Sequence, residues 1–359
     1  MIGLGLSITQ LAVRQMLGGT FNPLDLFANS EPGAWYDPSD LTTLFQDAAG
    51  TTPVTAVEQP VGRMLDKSGN GAHATQATAT SRPVLSARVN LLLATETLAT
   101  QNVTTRATTQ TLRFEGTGSI TLSGTGTGTF SAGTHTVTTT AGTLTVTVSG
   151  GVLRADLRAA NEAIGSPDYQ RVNTATDYDT VGFPHYLRCD GIDDWMVTPT
   201  ITPGTDKAQV FMGVRKLSDA TQYQILFESS TEYNTNNGAL LLSSSWNAAQ
   251  YAAGSRGTSF TNCLTVGLSA PRTDVLTLVS SISKDVLLIS VNGTQAASST
   301  VDQGTGNFNP YPLYLFRRAG TRFPFNGHFY GGIIRFGDNL PIETIEQTET
   351  WVNGKTGAY

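Results

Sequence analysis

Val286-Leu287-Leu288-Ile289-Ser290-Val291-Asn292-Gly293 carries the clearest structural signal in the chain. Six residues rich in β-branched and leucine side chains run into Asn-Gly, the pair that best tolerates positive φ at both central positions of a two-residue hairpin turn. The stretch reads as a strand, a tight reversal and a second strand. The same signature extends outward on both sides. Val210, Met212 and Val214 alternate with Phe211 and Gly213, Ile225 and Phe227 follow in kind, and residues 239–242 come at hairpin-like spacing. A period of two sends successive side chains to opposite faces of a sheet. Residues 313–316 and 328–336 supply two further strands. Only the C-terminus changes period. Pro341 suits a first helical position and Glu343 the positive end of a helix, Ile342, Ile345, Thr348 and Val352 form its predicted inward face, and Gly354-Lys355 is its predicted stop. The predicted fold class is all-β with short terminal helices.

Composition agrees with a surface built from hydroxyls. Charged residues are 14% of the 359, against roughly 25% in an ordinary soluble domain. Glycine, with 37 copies, and abundant Thr and Ser take their place. The net charge of -6 and a pI near 5.2 leave no basic field for a phosphate backbone, so nucleic acid is excluded as a partner. No stretch approaches the roughly 20 apolar residues of a membrane span, and membrane insertion is not expected. Met1 to Gly19 is mildly apolar but lacks a basic start and is broken by Gln10, Arg14 and Gln15, so a secretory leader is not expected either. Cys189 and Cys263 lie far apart without metal-ligand spacing; two buried thiols and a single bridge both remain open.

The chain divides by character. Residues 1–32 form a lead segment in which Ser7 caps a short helix carrying Leu11, Val13 and Met16, stopped by Gly18-Gly19; it is either a docking arm or a strap across its own domain. Residues 33–88 and 160–359 share the strand-and-turn pattern. Between them, residues 89–159 are different: Thr111 to Gly150 holds fourteen Thr and only two charges, Arg113 and Glu115. Leu112/Phe114, Ile120/Leu122 and Leu144/Val146/Val148 alternate there, predicting a small antiparallel insert of about five or six strands. Its uncharged edges invite pairing with a neighbouring copy, which predicts a homo-oligomer.

Tyr186-Leu187-Arg188-Cys189-Asp190-Gly191-Ile192-Asp193-Asp194-Trp195 resembles the L-x-F-D-G-x-D-D-Y/W strand of laminin-G-type, concanavalin A-like sandwiches, with Cys189 where that family usually has Phe. The turn Asp66 to Asn70, the hairpin at Val291-Asn292-Gly293, Phe325-Asn326-Gly327 and the close Trp351-Val352-Asn353-Gly354-Lys355 add to the likeness. W-Y-D-P-S-D-L at Trp35 to Leu41, D-K-S-G-N-G at Asp66 to Gly71, the Thr/Gly-rich insert and N-G-K-T-G at Asn353 to Gly357 together resemble laminin-G-like proteins of tailed bacteriophages. The resemblance implies a concanavalin A-like jelly-roll sandwich with an inserted small β-sandwich. It also implies a virion structural subunit (tail, collar or head appendage or decoration protein) on the particle surface, attached to other virion proteins through residues 1–32.

The chemistry-bearing residues point the same way. Asp190, Asp193 and Asp194 bunch closely enough for calcium, but alternation splits Asp193 from Asp194 and Asp190-Gly191 has the form of a turn, so no metal is expected, nor any other cofactor. Asp66 and Asn70 are read in the same way. Glycan-hydrolysing relatives of this fold often carry E-x-D-x-E, which does not occur here, and Glu228 and Glu232 have no partner at a telling spacing; no catalytic residue is assigned and a depolymerase is the least supported reading. His73, His135, His185 and His328 are scattered. Sugar recognition needs aromatic faces and amides, which the stretch from Tyr223 to Tyr251 offers as Tyr233, Asn236, Trp246 and Tyr251; Asn307 to Tyr311 is a second such group. These four are the candidate glycan-binding residues, with core or subunit contacts as the competing roles, and host surface glycan is the possible ligand of a reversible receptor-recognition module.

Overall fold

The computed structural model describes residues 21–87, 89–105, 107–159, 185–219 and 222–359. They fall into two compact units, one from the segments before 55, 60–84 and 187–359, the other from 55–59 and the segment 85–186. The second unit thus takes in 55–59 and begins at 85, earlier than the sequence pattern placed it.

The first unit is built on two antiparallel sheets. One runs in the order Thr294–Ser299, Val286–Val291, Arg272–Ser281, Lys207–Lys216, Asn326–Phe336 and His185–Asp190, with Gly33–Tyr36 on the same flank of Asn326–Phe336 as His185–Asp190. The hairpin at its end turns as the sequence requires, with φ of 52° at Asn292 and 73° at Gly293. The other sheet runs Phe260–Leu264, Ala252–Arg256, Leu240–Ser245, Gln224–Glu228, Tyr314–Leu315, Met196–Val197, Ala74–Thr75, Arg63–Met64 and Leu44–Phe45. Neighbouring edges of the two sheets meet where Thr261 Oγ1 lies 2.7 Å from Ser299 Oγ.

Lys207–Lys216 is buried on both faces because the outer face of its sheet is also covered. Helix Ile342–Thr356 lies there, and Phe211, Val275, Ile333 and Val352 pack with Leu26, Phe27 and Trp35. At Gly213 a Cβ would stand 2.6 Å from Thr356 Cγ2 and 3.0 Å from Val352 Cγ1, so only glycine allows the helix this close. The helix keeps most of its predicted inward face, with Thr348 and Val352 buried and Ile345 partly buried against the same cluster. Its buried stripe is Thr344, Thr348, Val352 and Thr356, spaced by four, while Ile342 is 60% exposed; it ends at Gly357 rather than at Gly354-Lys355.

Residues 21–32 are a strap. Asn22 caps the short Pro23–Phe27 turn, Leu26 and Phe27 are buried, and Arg335 Nε donates to Leu26 O at 2.8 Å. The docking reading of 1–32 therefore does not extend to this part, which belongs to the sandwich; the predicted helix from Ser7 lies outside the described residues. The Asp66 turn is likewise scaffold: its carboxylate accepts from the N–H groups of Trp35, Ser68 and Ala72 at 2.9, 2.8 and 3.0 Å.

The second unit has five strands in the order Val152–Ala159, Thr108–Gly124, Gly142–Ser149 and Gln101–Thr105, with Gly128–Thr139 along the other side of Thr108–Gly124. The alternating residues of the sequence pattern, among them Leu112, Phe114, Ile120, Leu122, Leu144 and Val146, form its core.

Candidate functional site

The strands Gln224–Glu228 and Leu240–Ser245 are joined by a loop that one buried cation holds down. Arg318, from the turn after Tyr314–Leu315, donates through Nε to Glu228 Oε2 at 2.6 Å and through Nη1 to Glu232 Oε1 at 3.0 Å. Glu232 also receives Arg322 Nη2 at 2.6 Å. Burial pushes the Glu228 carboxyl up against the pull of Arg318. Burial acts on Glu232 too, but Arg318 and Arg322 more than offset it and leave that carboxyl below its usual range. Breaking a buried pair of this kind by removing one partner strands a charge, so the cluster pins the 231–238 loop to the 316–323 turn. That turn is itself strained: Phe316, Ala319 and Phe323 have φ of 68°, 47° and 62° without being glycine. Such positions cost about 1–3 kcal/mol each and persist only where the surroundings over-determine them, often at ligand sites.

The strain delivers Phe323 to an aromatic shelf. Tyr223 meets Phe323 edge-on at 5.0 Å and Trp246 at 4.1 Å between ring centroids, and all three rings are partly exposed. Arg318 and Arg322 lie 5.1 and 5.6 Å from the Phe323 ring centre. Beneath the shelf are Ile225, Tyr233, Ala239 and Leu241. Of the groups around it, Arg322 faces solvent most, with 55% of its side chain exposed.

The four sequence candidates separate. Trp246 is on the shelf. Asn236 is half-buried in the pinned loop, donating from Nδ2 to Thr231 Oγ1 at 3.2 Å. Tyr233 and Tyr251 are not glycan-facing: both are fully buried, and their hydroxyls are bound internally. Tyr233 donates to Thr261 O and stands under Gly254, whereas Tyr251 donates to Asp274 Oδ2 at 2.7 Å beneath Lys216. Burial pushes both phenols up. The second group converges on the same loop, with Asn309 Nδ2 and Tyr311 OH donating to Asn237 O at 2.9 and 3.0 Å. Sequence reasoning missed Tyr223, which only bounded the candidate stretch, and Phe323 and Arg322, which no local pattern marks and which reach the shelf only through the fold.

The acidic turn is bonded within itself and to Ser81. Asp190, Asp193 and Asp194 bring one oxygen each within 4.8 Å of one another. Asp190 Oδ1 accepts from Ile192 N at 2.7 Å, Asp194 Oδ2 from Asp190 N at 2.9 Å, and Asp193 Oδ2 from Ser81 Oγ at 2.8 Å. Burial pushes Asp194 up to about 7, with Asp190 and Asp193 adding to the shift and the Asp190 N–H opposing it. A cleft of about 510 Å³ lies elsewhere, along residues 29–32 and 335–341. Its charges are already engaged, Glu31 with Arg335 at 2.8 Å and Asp338 with Lys207 at 2.6 Å. Cys189 and Cys263 are buried free thiols, and burial pushes Cys263 up to about 12.

Fold and site together define an all-β sandwich, interrupted by a small β insert, with a C-terminal helix and an aromatic shelf at its rim. No family model and no curated protein matches the chain. Among solved structures it is similar to the binding domain of botulinum neurotoxin serotype D, at 10% identity and a TM-score of 0.36, over 46% of this chain and 42% of that one. It is also similar to the Ruminococcus gnavus IT-sialidase CBM40 bound to α2,3-sialyllactose, at 16% identity and 0.33, over 40% and 83%. A third is domain 4 of AbnA, a GH43 extracellular arabinanase from Geobacillus stearothermophilus, in complex with arabinotriose, at 13% identity and 0.35, over 46% and 76%. The chain spans about two fifths of the length of the neurotoxin domain it matches.

Proposed function

We propose that the chain is a non-catalytic carbohydrate-binding sandwich that takes a sugar ring onto Tyr223, Trp246 and Phe323. The observation that carries this is the shelf itself: three adjoining, partly exposed rings offer the apolar face a pyranose needs, and the exposed Arg322 stands beside Phe323 as a donor for its hydroxyls. A hydrolytic role is disfavoured by the nearest carboxylate pair. Glu228 is sealed, and both it and Glu232 are committed to Arg318, which leaves neither placed to protonate a leaving group or activate water.

The setting we propose is the surface of a bacteriophage particle, where the chain serves as a structural appendage or decoration subunit, assembled as a homo-oligomer and attached to other virion proteins through its first residues. Support for this comes from the phage-like motifs at Trp35 to Leu41, Asp66 to Gly71 and Asn353 to Gly357 and from the weakly charged, Thr-rich surface. Since 21–32 pack into the sandwich, any attachment falls to residues 1–20.

A glycan array comparing the native chain with Trp246→Ala and Tyr223→Ala tests the binding reading. We expect a sugar signal that weakens by about tenfold or more in each variant, as lost stacking of roughly 1–2 kcal/mol implies. No signal from the native chain, or one indifferent to both substitutions, overturns it. For the setting, mass spectrometry of purified particles should find the native chain and miss one lacking residues 1–20; incorporation of the shortened chain would remove the docking claim.

A further inference from the structure

The two longer edge strands of the inserted sheet are treated differently. Val152–Ala159 is covered by the chain itself: Leu91 N donates to Leu157 O at 3.0 Å, Ala155 N to Thr95 O at 2.9 Å and Leu98 N to Val152 O at 2.9 Å. Gly128–Thr139 pairs with Thr108–Gly124 on one side and, among the described residues, with no strand on the other. An edge of this length presents a row of backbone donors and acceptors that another strand can meet, and proteins usually blunt such edges with Lys, Pro, inward charges or a covering loop. Residues 129–138 read Thr-Phe-Ser-Ala-Gly-Thr-His-Thr-Val-Thr and contain none of those residues. Among the described residues a covering loop is present at the other edge and not at this one.

The composition of the strand also says what fits it. Each copy of the chain carries a net charge of -6, so two copies repel unless they meet through an uncharged surface. Residues 129–138 carry no Asp, Glu, Lys or Arg. Thr134, Thr136 and Thr138 point outward on one face, while Val137 turns into the core and the His135 ring lies 4.9 Å from that of Phe130. Two such strands run antiparallel about a two-fold axis would exchange backbone hydrogen bonds, set hydroxyl against hydroxyl across the seam, and bring no like charges together.

We propose that residues 129–138 form an isologous antiparallel contact with the same residues of a second copy of the chain, joining two inserted sheets into one. The contact goes beyond the sugar-binding reading and does not depend on it.

Analytical ultracentrifugation of the full chain tests this, with Thr134→Lys/Thr136→Lys and Thr134→Glu/Thr136→Glu as variants. All substituted positions are exposed and outside the core, so circular dichroism should report the same fold. The native chain is expected to sediment as a dimer, and each variant alone to associate about tenfold more weakly or less still, because like charges then face each other across the seam. Mixing the Lys and Glu variants should restore the dimer, since only a strand meeting its own copy turns repulsion into attraction. A monomeric native chain, a dimer that survives in the Lys variant, or a mixture that stays monomeric each overturns the proposal. Should the Lys variant lose its fold, the Glu variant decides alone: a Glu variant that still dimerises as the native chain does overturns the proposal.

Discussion

At Asp194 a structural role has a thermodynamic signature. Its carboxyl is pushed up to about 7 in the fold, against about 3.9 in an unfolded chain, so between those values the folded state holds a proton that the unfolded state has released. Raising the pH through this window therefore favours unfolding, and the contribution present in acid is lost as pH passes 7. Asp194→Asn keeps an oxygen for the Asp190 N–H but cannot ionise. The fall in melting temperature between about pH 5 and 8 should be shallower in that variant. Parallel melting curves for the two proteins across that range would show that the acidic turn does not hold this proton. The same residue shows the limit of reading side chains from sequence: the Asp190-Gly191 turn was legible, but its partners, the Asp190 and Ile192 N–H groups and the distant Ser81 hydroxyl, were not.

Elements were more legible than their faces. Strand periodicity places Val286–Val291 and the inserted sheet, because alternation follows directly from burial of one face, whereas Lys207–Lys216, buried on both faces, shows itself by a continuous apolar run. The helix Ile342–Thr356 was legible as a helix, and Ile345, Thr348 and Val352 of its predicted inward face do turn toward the sheet; Ile342 does not, and the sequence did not single out Thr344 and Thr356, the slim residues that let the backbone approach Gly213. Tyr233 and Tyr251 were misjudged for a related reason, since nothing local announces that Thr261 O and Asp274 wait inside to bind their hydroxyls. Of the shelf only Trp246 was legible, because Tyr223 bounded the candidate stretch without being chosen and Phe323 reaches the shelf only through the fold. The helix argument can be tested at its tightest point. Gly213→Ala should cost about 1–3 kcal/mol by overpacking against Thr356 Cγ2. Adding Thr356→Ser, which deletes that methyl, should recover part of the loss, with a coupling of about 0.5 kcal/mol or more in a denaturant double-mutant cycle. Strict additivity would place the strain elsewhere.

Across the whole molecule, the aromatic shelf and the open edge belong to different compact units, each with a hydrophobic cluster made from its own residues. That division implies that binding and association can be taken apart. Replacing residues 89–184 with a short Gly/Ser linker removes the Gly128–Thr139 edge and leaves Tyr223, Trp246, Phe323 and the Arg318 cluster in place. Such a chain should bind a soluble monovalent oligosaccharide as well as the native one does, yet sediment as a monomer. On a surface coated densely with the same sugar the native dimer should hold on by about 10²-fold or more over the shortened chain, because its second shelf binds at the high local concentration set by the first. Loss of monovalent affinity on excision would mean that the insert shapes the shelf. Equal retention on the coated surface would mean that association through the edge contributes nothing to adhesion, and the two units would then need separate explanations.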